Sequence, residues 1–414
     1  MGGQQIWDVV IREAALLDSE GTRDIAIAGG KVAAIGPHLD GAAARTVHAG
    51  GGLVTPSFTD PHFHLDKVLS RSHFGARNFE QAFAKAHEVK RQFTVADVEE
   101  RASRALSLAV AQGLGRMRAQ IDVDFATGLT SFEGVARARE RFKDAIDIQL
   151  VAFPQEGIVT DPKAPALLRE AIRLGAEVIG GLPEFERSVE DQRTHVRTIF
   201  DIAEETGVIV DMHADYQDYP KFKTLEMIAD ETIDRGLQGR VVANHCNALS
   251  VYDDAEAQRV IGKLLRARMQ VAVLPIANLQ MLGGDGRTPF NRASSRIKEL
   301  LDAGVNVAAG ADNMFDIWFR FNRMDPVETA YITCLSGGMK TDEEVRESFA
   351  MVTSRAARYM GCEDHGVRVG GDADLVVHSA ATLVDMYRNL PGRRLHLKRG
   401  RIVGGTEGSL WSVH

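Results

Sequence analysis

Five side chains in this sequence have the types and spacing to share one metal ion. His62 and His64 lie two apart in TPSFTDPHFHLDK, and side chains two apart on an extended backbone project to the same side. Two packed or exposed rings would explain a lone His-x-His equally well, so further ligands are needed. His213 closes VIVDMHAD, His245 closes VVANHC, and Asp312 follows VAAGADN. Each is the first strong ligand after an apolar run. With only 13 histidines in the chain, four of them at the ends of such runs argue for a common site. Imidazole and carboxylate ligands suit zinc or ferrous iron, and a catalytic site keeps one position open for water.

Such residues must be placed by strands whose ends meet. Short apolar runs alternate with amphipathic stretches through the middle of the chain, as parallel strands with crossover helices do. Eight runs stand out: 54–58, 118–123, 148–153, 178–182, 208–212, 241–243, 271–274 and 305–309. Most are rich in Val and Ile, as expected of strands buried on both faces. Between them, Ala166–Leu174 reads as a helix with Leu167, Ala171 and Leu174 on one face and Gly175 as its stop. Ser188 with Asp191 three residues on reads as an N-cap with an acidic first turn, and that helix ends before Gly207. Ala255–Met269 is a third. The pattern predicts a (β/α)₈ TIM-like barrel with the active-site residues just past the strand C-termini. Both chain ends read as β instead. Asp24–Gly36 is a hairpin turning at Gly29-Gly30, and 374–377 with 395–403 repeat that style around Arg399-Gly400.

Composition narrows the class of partner. The chain has 414 residues, 44% hydrophobic and 26% charged, with a formal charge of −8, so it folds around a large core and lacks the basic excess that nucleic acid or an anionic membrane requires. A small molecule is the expected partner. Cys246, Cys334 and Cys362 form no C-x-x-C pair, which suggests neither a disulfide framework nor a thiolate zinc site and fits a reduced, cytoplasmic setting. The first residues lack the pattern of a signal peptide, and no apolar stretch reaches the roughly twenty residues of a membrane span.

The strand-end set, with His-x-His on the first strand, His on the fifth and sixth and Asp on the eighth, resembles the amidohydrolase superfamily. HFHLDK, VAFPQEGI, the segment around His213, the His245 strand and GADNMFDIW resemble more narrowly its bacterial cytosine deaminase branch, which includes N-isopropylammelide hydrolases. The similarity spans about residues 50–400. It implies a composite β-sandwich of residues 1–54 and 366–414 beside a hydrolase barrel of residues 55–365, and it allows a homo-oligomer. It also implies that His62, His64, His213 and Asp312 hold one divalent ion, Zn²⁺ or Fe²⁺. His245 would polarise the attacked centre, and Asp312 would also accept the proton of the attacking water. The fourth run, VIGGLPEF, offers no Lys for a second metal.

Gln155 matches the family position that binds a pyrimidine amide, Lys67 matches the H-x-H-x-D-K of the isopropylammelide type, and Trp318 and Phe153 offer flat walls for a ring. Two positions depart from the deaminases. Tyr216 stands where a Glu shuttles protons, and a phenol of pKa near 10 is a poor substitute; Asp215, Asp66 or Lys67 could take part of that role. Asn313 stands where a second acid contacts the exocyclic amine. The implied activity is attack on an sp² carbon of a nitrogen heterocycle with release of ammonia or an amine, on a substrate other than cytosine. The alternative is hydrolysis of a cyclic amide, urea or N-acyl bond by the same activated water. All five ligand positions are filled, which argues against a binding scaffold on an inactive barrel.

Overall fold

The computed structural model describes residues 6–70, 79–217, 223–281, 295–390 and 392–406. Its first strands are β1 (Ile6–Ala15), β2 (Thr22–Ala28), β3 (Lys31–Gly36), β4 (Ala42–His48) and β5 (Val54–Pro56). The barrel strands follow: β6 (Phe58–Phe63), β7 (Leu114–Asp122), β8 (Asp147–Phe153), β9 (Val178–Gly181), β10 (Ile209–Ala214), β11 (Val241–His245), β12 (Gln270–Val273) and β13 (Val307–Ala309). β14 (Leu375–His378), β15 (Arg393–Lys398) and β16 (Arg401–Gly404) come last.

β6 to β13 form one eight-stranded parallel sheet in chain order, and Phe63 bridges Asp312 across the remaining seam. This is the expected (β/α)₈ barrel. β7 shows how its strands serve two environments. Met117, Ala119 and Ile121 join an apolar layer with helix residues such as Leu106, Val135 and Phe200. The alternate residues Arg118, Gln120 and Asp122 are fully buried on the other face. Both faces are therefore covered, although one is polar.

Helix ends follow local chemistry. Ser188 caps Val189–Thr206 by accepting from the Asp191 amide at 3.1 Å, and Gly207 ends that helix at φ +79°, a conformation that costs glycine little. Asp253 caps Asp254–Ala267 in the same way. The helix expected at 166–174 spans Ala164–Arg173, but its buried face is Ala164, Leu168 and Ala171. Leu174 is 44% exposed, because it lies beyond the last helical residue and turns off the apolar stripe.

The run 54–58 is not one strand. Val54–Pro56 pairs antiparallel with β14, and the first barrel strand begins at Phe58 after Ser57, whose amide donates to Asp374 O at 2.8 Å. Pro56 lacks an amide hydrogen and suits the break between the two sheets. The chain ends form two four-stranded sheets, β3-β2-β1-β4 and β16-β15-β14-β5. Ile11, Ile25 and Ile27 of one share a core with Val54, Leu375 and Leu397 of the other. The hairpin turns also meet, since a Cβ on Gly30 would lie 3.1 Å from the Arg399 carbonyl oxygen. Among the described residues no helix is long and apolar enough to cross a membrane.

Gly52 joins these sheets at a point with no room for a side chain, because its Cβ would fall 2.1 Å from the His378 carbonyl oxygen. Gly52→Ala must push backbone aside, and overpacking of this kind costs about 1–3 kcal/mol. Thermal unfolding should show a lowered Tm, with metal content unchanged because the strain is remote from the strand ends of the barrel.

A candidate metal centre at the barrel mouth

The seam between β6 and β13 places three of the five residues. The His64 amide donates to Asp312 O at 2.7 Å, and the Asp312 amide donates to His62 O at 3.1 Å. Asp60 braces both sides, its Oδ1 accepting from the His62 amide at 3.0 Å and its Oδ2 from the Ala311 amide at 3.2 Å. Gly310 allows this approach, since a Cβ there would sit 2.9 Å from Asp60 Oδ1 and 3.1 Å from His62 O. Asp312 leaves the strand at φ +67° and His245 leaves β11 at φ +68°. Left-handed backbone outside glycine is uncommon and collects at functional sites.

The side chains converge. His62 Nε2 and His64 Nε2 each lie 3.5 Å from Asp312 Oδ1, and His213 Nε2 lies 3.3 Å from His64 Nε2. The His213 ring centroid is 4.6 Å from that of His62 and 5.1 Å from that of His245. Two sets, His62/His64/Asp312 and His62/His213/His245, have ligand atoms within 4.8 Å of one another. His62 Nε2, His245 Nε2 and His213 Nδ1 are buried with no hydrogen-bond partner. Orphaned nitrogens in such a cluster are costly unless something accepts their lone pairs, so the set fits a divalent cation. Burial, reinforced by the neighbouring cationic groups, holds His64 and His213 well below the usual imidazole range. Burial takes His245 down to about 4 against the pull of Asp312. These rings are neutral at pH 7, the form that ligates metal.

A cavity opens onto this cluster, lined among others by His64, Lys67, Gln155, Tyr216, His245, Asp312, Asn313 and Trp318. Gln155, Lys67, Tyr216, Asn313 and Trp318, each expected to contact substrate, all lie at its wall. Lys67 is also paired, with Nζ 2.6 Å from Asp122 Oδ1, and it donates to Gln155 Oε1 at 3.2 Å. The Asn313 amide donates to Asp316, which also accepts from the Trp318 and Phe319 amides at 2.8 and 2.9 Å. The Tyr216 ring meets His245 edge-on at 4.7 Å. Burial and then the charge of Asp312 push its phenol well above the ordinary value.

Two expectations need correction. Phe153 does not line the cavity; it stacks on His213 with centroids 4.5 Å apart and supports that ring from behind. The Asp215 carboxylate is occupied elsewhere, accepting from Tyr252 Oη at 2.8 Å, Thr224 Oγ1 at 3.0 Å and the Leu225 amide at 3.1 Å. It brackets the β10 exit and is not placed to move protons. Asp66 differs from Asp215: its Oδ2 accepts from the Asp122 amide at 3.1 Å, but its Oδ1 is buried with no hydrogen-bond partner and the carboxylate clusters with His64 and Asp122.

Sequence reasoning missed the acids behind this wall. Asp122, Asp124 and Glu156 surround Lys90, and Glu184 accepts from the Tyr216 amide at 2.6 Å. Burial and the nearby Asp215 push Glu184 up to about 8. Below the cluster, Gln120 Nε2 lies 3.3 Å from His62 Nδ1 and donates to Asp211 Oδ1 at 3.1 Å. Inward alternation on β7 was the one available signal for Gln120 and Asp122.

Comparison with known proteins identifies the family. The chain is 27% identical over 409 residues to N-isopropylammelide isopropyl amidohydrolase of Pseudomonas sp. strain ADP, covering 96% of this chain and 97% of that protein. It is 30% identical over 362 residues to pterin deaminase of Rhizobium rhizogenes, covering 85% and 80%. The crystal structure of 5-methylcytosine deaminase from Klebsiella pneumoniae with 5-fluorocytosine superposes with a TM-score of 0.91 at 26% identity, covering 98% of this chain and 99% of that one. Residues 75–403 match the model of the amidohydrolase family. With barrel, strand-end cluster and family model in agreement, the chain belongs to the amidohydrolase family.

Proposed function

We propose that this protein is a hydrolase dependent on one divalent metal ion, zinc or ferrous iron, that attacks an sp² carbon of a nitrogen heterocycle and releases ammonia or an amine. The clustering of His62, His64, His213, His245 and Asp312, with all but His62 lining one cavity, carries the reading. The names of the similar proteins, which point to N-isopropylammelide, pterin and 5-methylcytosine, support it. His62, His64, His213 and Asp312 would hold the ion, which when bound lowers the pKa of a water towards about 7.

The remaining work falls to the chain's own groups. Asp312 accepts the proton released as water adds and passes it to the departing nitrogen. His245 stands beside the attacked carbon and polarises it. Gln155 gives its Oε1 to Lys67, which leaves its amide hydrogens for a substrate oxygen. Asn313 spends its amide on Asp316 and offers its oxygen to a substrate N–H. Donors on one side and an acceptor on the other select a ring that already carries an oxo group beside a ring N–H, with Trp318 along its face. Tyr216, neutral across the working range, binds and does not shuttle protons. That same absence of a carboxylate supports the second reading, hydrolysis of a cyclic amide, urea or N-acyl bond, because amide cleavage needs only Asp312 to protonate the leaving nitrogen.

Amine release by zinc- or iron-loaded protein across aminopyrimidines, aminotriazines, pterins and their oxo and N-alkyl forms separates the readings. Turnover is expected for oxo-substituted rings; silence across the panel with turnover of cyclic amides would favour the second. Asp312→Asn should lower kcat by roughly 10²- to 10⁴-fold, the usual size of general-base catalysis; near-normal turnover would remove Asp312 from that role. Chelation should lower Tm and re-addition of zinc should restore it, since a ligand that binds only the folded state stabilises it. A Tm indifferent to metal would contradict a built site.

A further inference from the structure

Lys90 ends the helix Phe79–Lys90 and lies buried behind the wall of the cavity. Its Nζ is 2.6 Å from Asp122 Oδ2, 2.7 Å from Asp124 Oδ2 and 2.7 Å from Glu156 Oε1. Asp122 ends β7, Asp124 is two residues on, and Glu156 follows Gln155 directly. Asp122 is shared, because its other oxygen is 2.6 Å from Lys67 Nζ, and Lys67 donates onward to Gln155 Oε1 at 3.2 Å. The second oxygen of Glu156 meets His87, one turn back on the same helix. Two short routes therefore join Lys90 to Gln155, one through Asp122 and Lys67 and one through Glu156 and the backbone.

The charges explain why the link matters. Three buried carboxylates surround Lys90, two buried ammonium groups share them, and Asp66 adds a fourth buried acid that acts on Lys67. Burial alone would push the Lys90 ammonium down, but the three carboxylates hold it well above its ordinary value, so it stays charged. Take Lys90 away, and Lys67 becomes the sole ammonium near all three acids. In a poorly screened interior the attraction would draw its Nζ into them and away from Gln155, whose amide would then be free to turn.

We infer that Lys90 is a positioning residue for substrate recognition: it does not line the cavity, yet it fixes Lys67 and, through it, the side-chain amide of Gln155. The inference rests on the reading of Gln155 and Lys67 as substrate contacts. It assigns the helix Phe79–Lys90 a part in specificity, since the helix delivers a charge on which the wall depends.

Crystal structures of zinc-loaded full-length Lys90→Met and Lys90→Arg test the geometry. In Lys90→Met, Lys67 Nζ should leave Gln155 Oε1 by more than about 3.5 Å, and Lys90→Arg should largely keep the contact. Kinetics use whichever of N-isopropylammelide, 5-methylcytosine or pterin the parent protein turns over fastest. Lys90→Met should raise KM about tenfold with kcat little changed, and Lys90→Arg should recover most of the loss. An intact Lys67–Gln155 contact or an unchanged KM in folded Lys90→Met overturns the proposal. If Lys90→Met does not fold, Glu156→Gln, which removes one of the three acids, should still raise KM, and an unchanged KM there counts against the proposal equally. Gln155→Ala keeps the two readings apart. If it leaves KM untouched, the assignment of Gln155 as a substrate contact fails, and the crystal structures alone decide whether Lys90 sets its geometry.

Discussion

The barrel closes where β6 meets β13, and the closing hydrogen bonds belong to the residues whose side chains converge. The backbone pair that links His64 with Asp312 and Asp312 with His62 sets the separation of two imidazoles and a carboxylate before any ion is present. A metal site assembled on flexible loops would lose much of its binding energy to ordering its ligands. Here that ordering is part of folding. The left-handed backbone at His245 and Asp312 costs about 1–3 kcal/mol each, and it turns both side chains off their strand ends into the common space.

The interior of the barrel is polar under this cluster. Arg118 pairs with Asp211 at 2.8 Å, Asn244 and Gln120 donate to the same carboxylate, and Tyr359 Oη donates to Asn244 at 2.7 Å. All five are buried. A buried ion pair is weak evidence for stability, since apolar replacement is often as stable. A connected network does something an apolar plug cannot: it holds the Gln120 amide against His62 Nδ1 and so limits how that ring can turn. Orientation of metal-binding histidines by groups behind them is a general need of such sites.

How much of this the sequence disclosed depends on which face a residue occupies. His213, His245 and Asp312 were legible because each is the first strong ligand after an apolar run, and seven of the eight barrel strand positions followed from the same runs. The break at Pro56 was legible only in part: Thr55, Pro56 and Ser57 interrupt the run, but nothing local shows that Val54–Pro56 pairs with β14 instead. Lys90 was hidden for a different reason. In FEQAFAKAHEVK a terminal Lys reads as a solvated charge at the favourable end of a helix dipole, and its three acid partners are spread over residues 122–156. Asp215 misled in the opposite direction, since proximity to His213 in sequence suggested chemistry while Thr224 and Tyr252 claim its carboxylate. Local pattern gives the period of an element; it does not show which charges from distant strands will meet.

The meeting of the two hairpin turns has a consequence for how the molecule is made. Lys31 bridges Asp372 and forms an ion pair with it at 2.9 Å across a separation of 341 residues. During synthesis β1 to β4 emerge long before β14 to β16, so the shared core of Ile11, Ile27, Leu375 and Leu397 is completed only after the whole barrel has left the ribosome. Until then the early sheet exposes an apolar face, the kind of surface through which partly made chains aggregate or recruit chaperones. The later strands act as a clasp over the earlier ones.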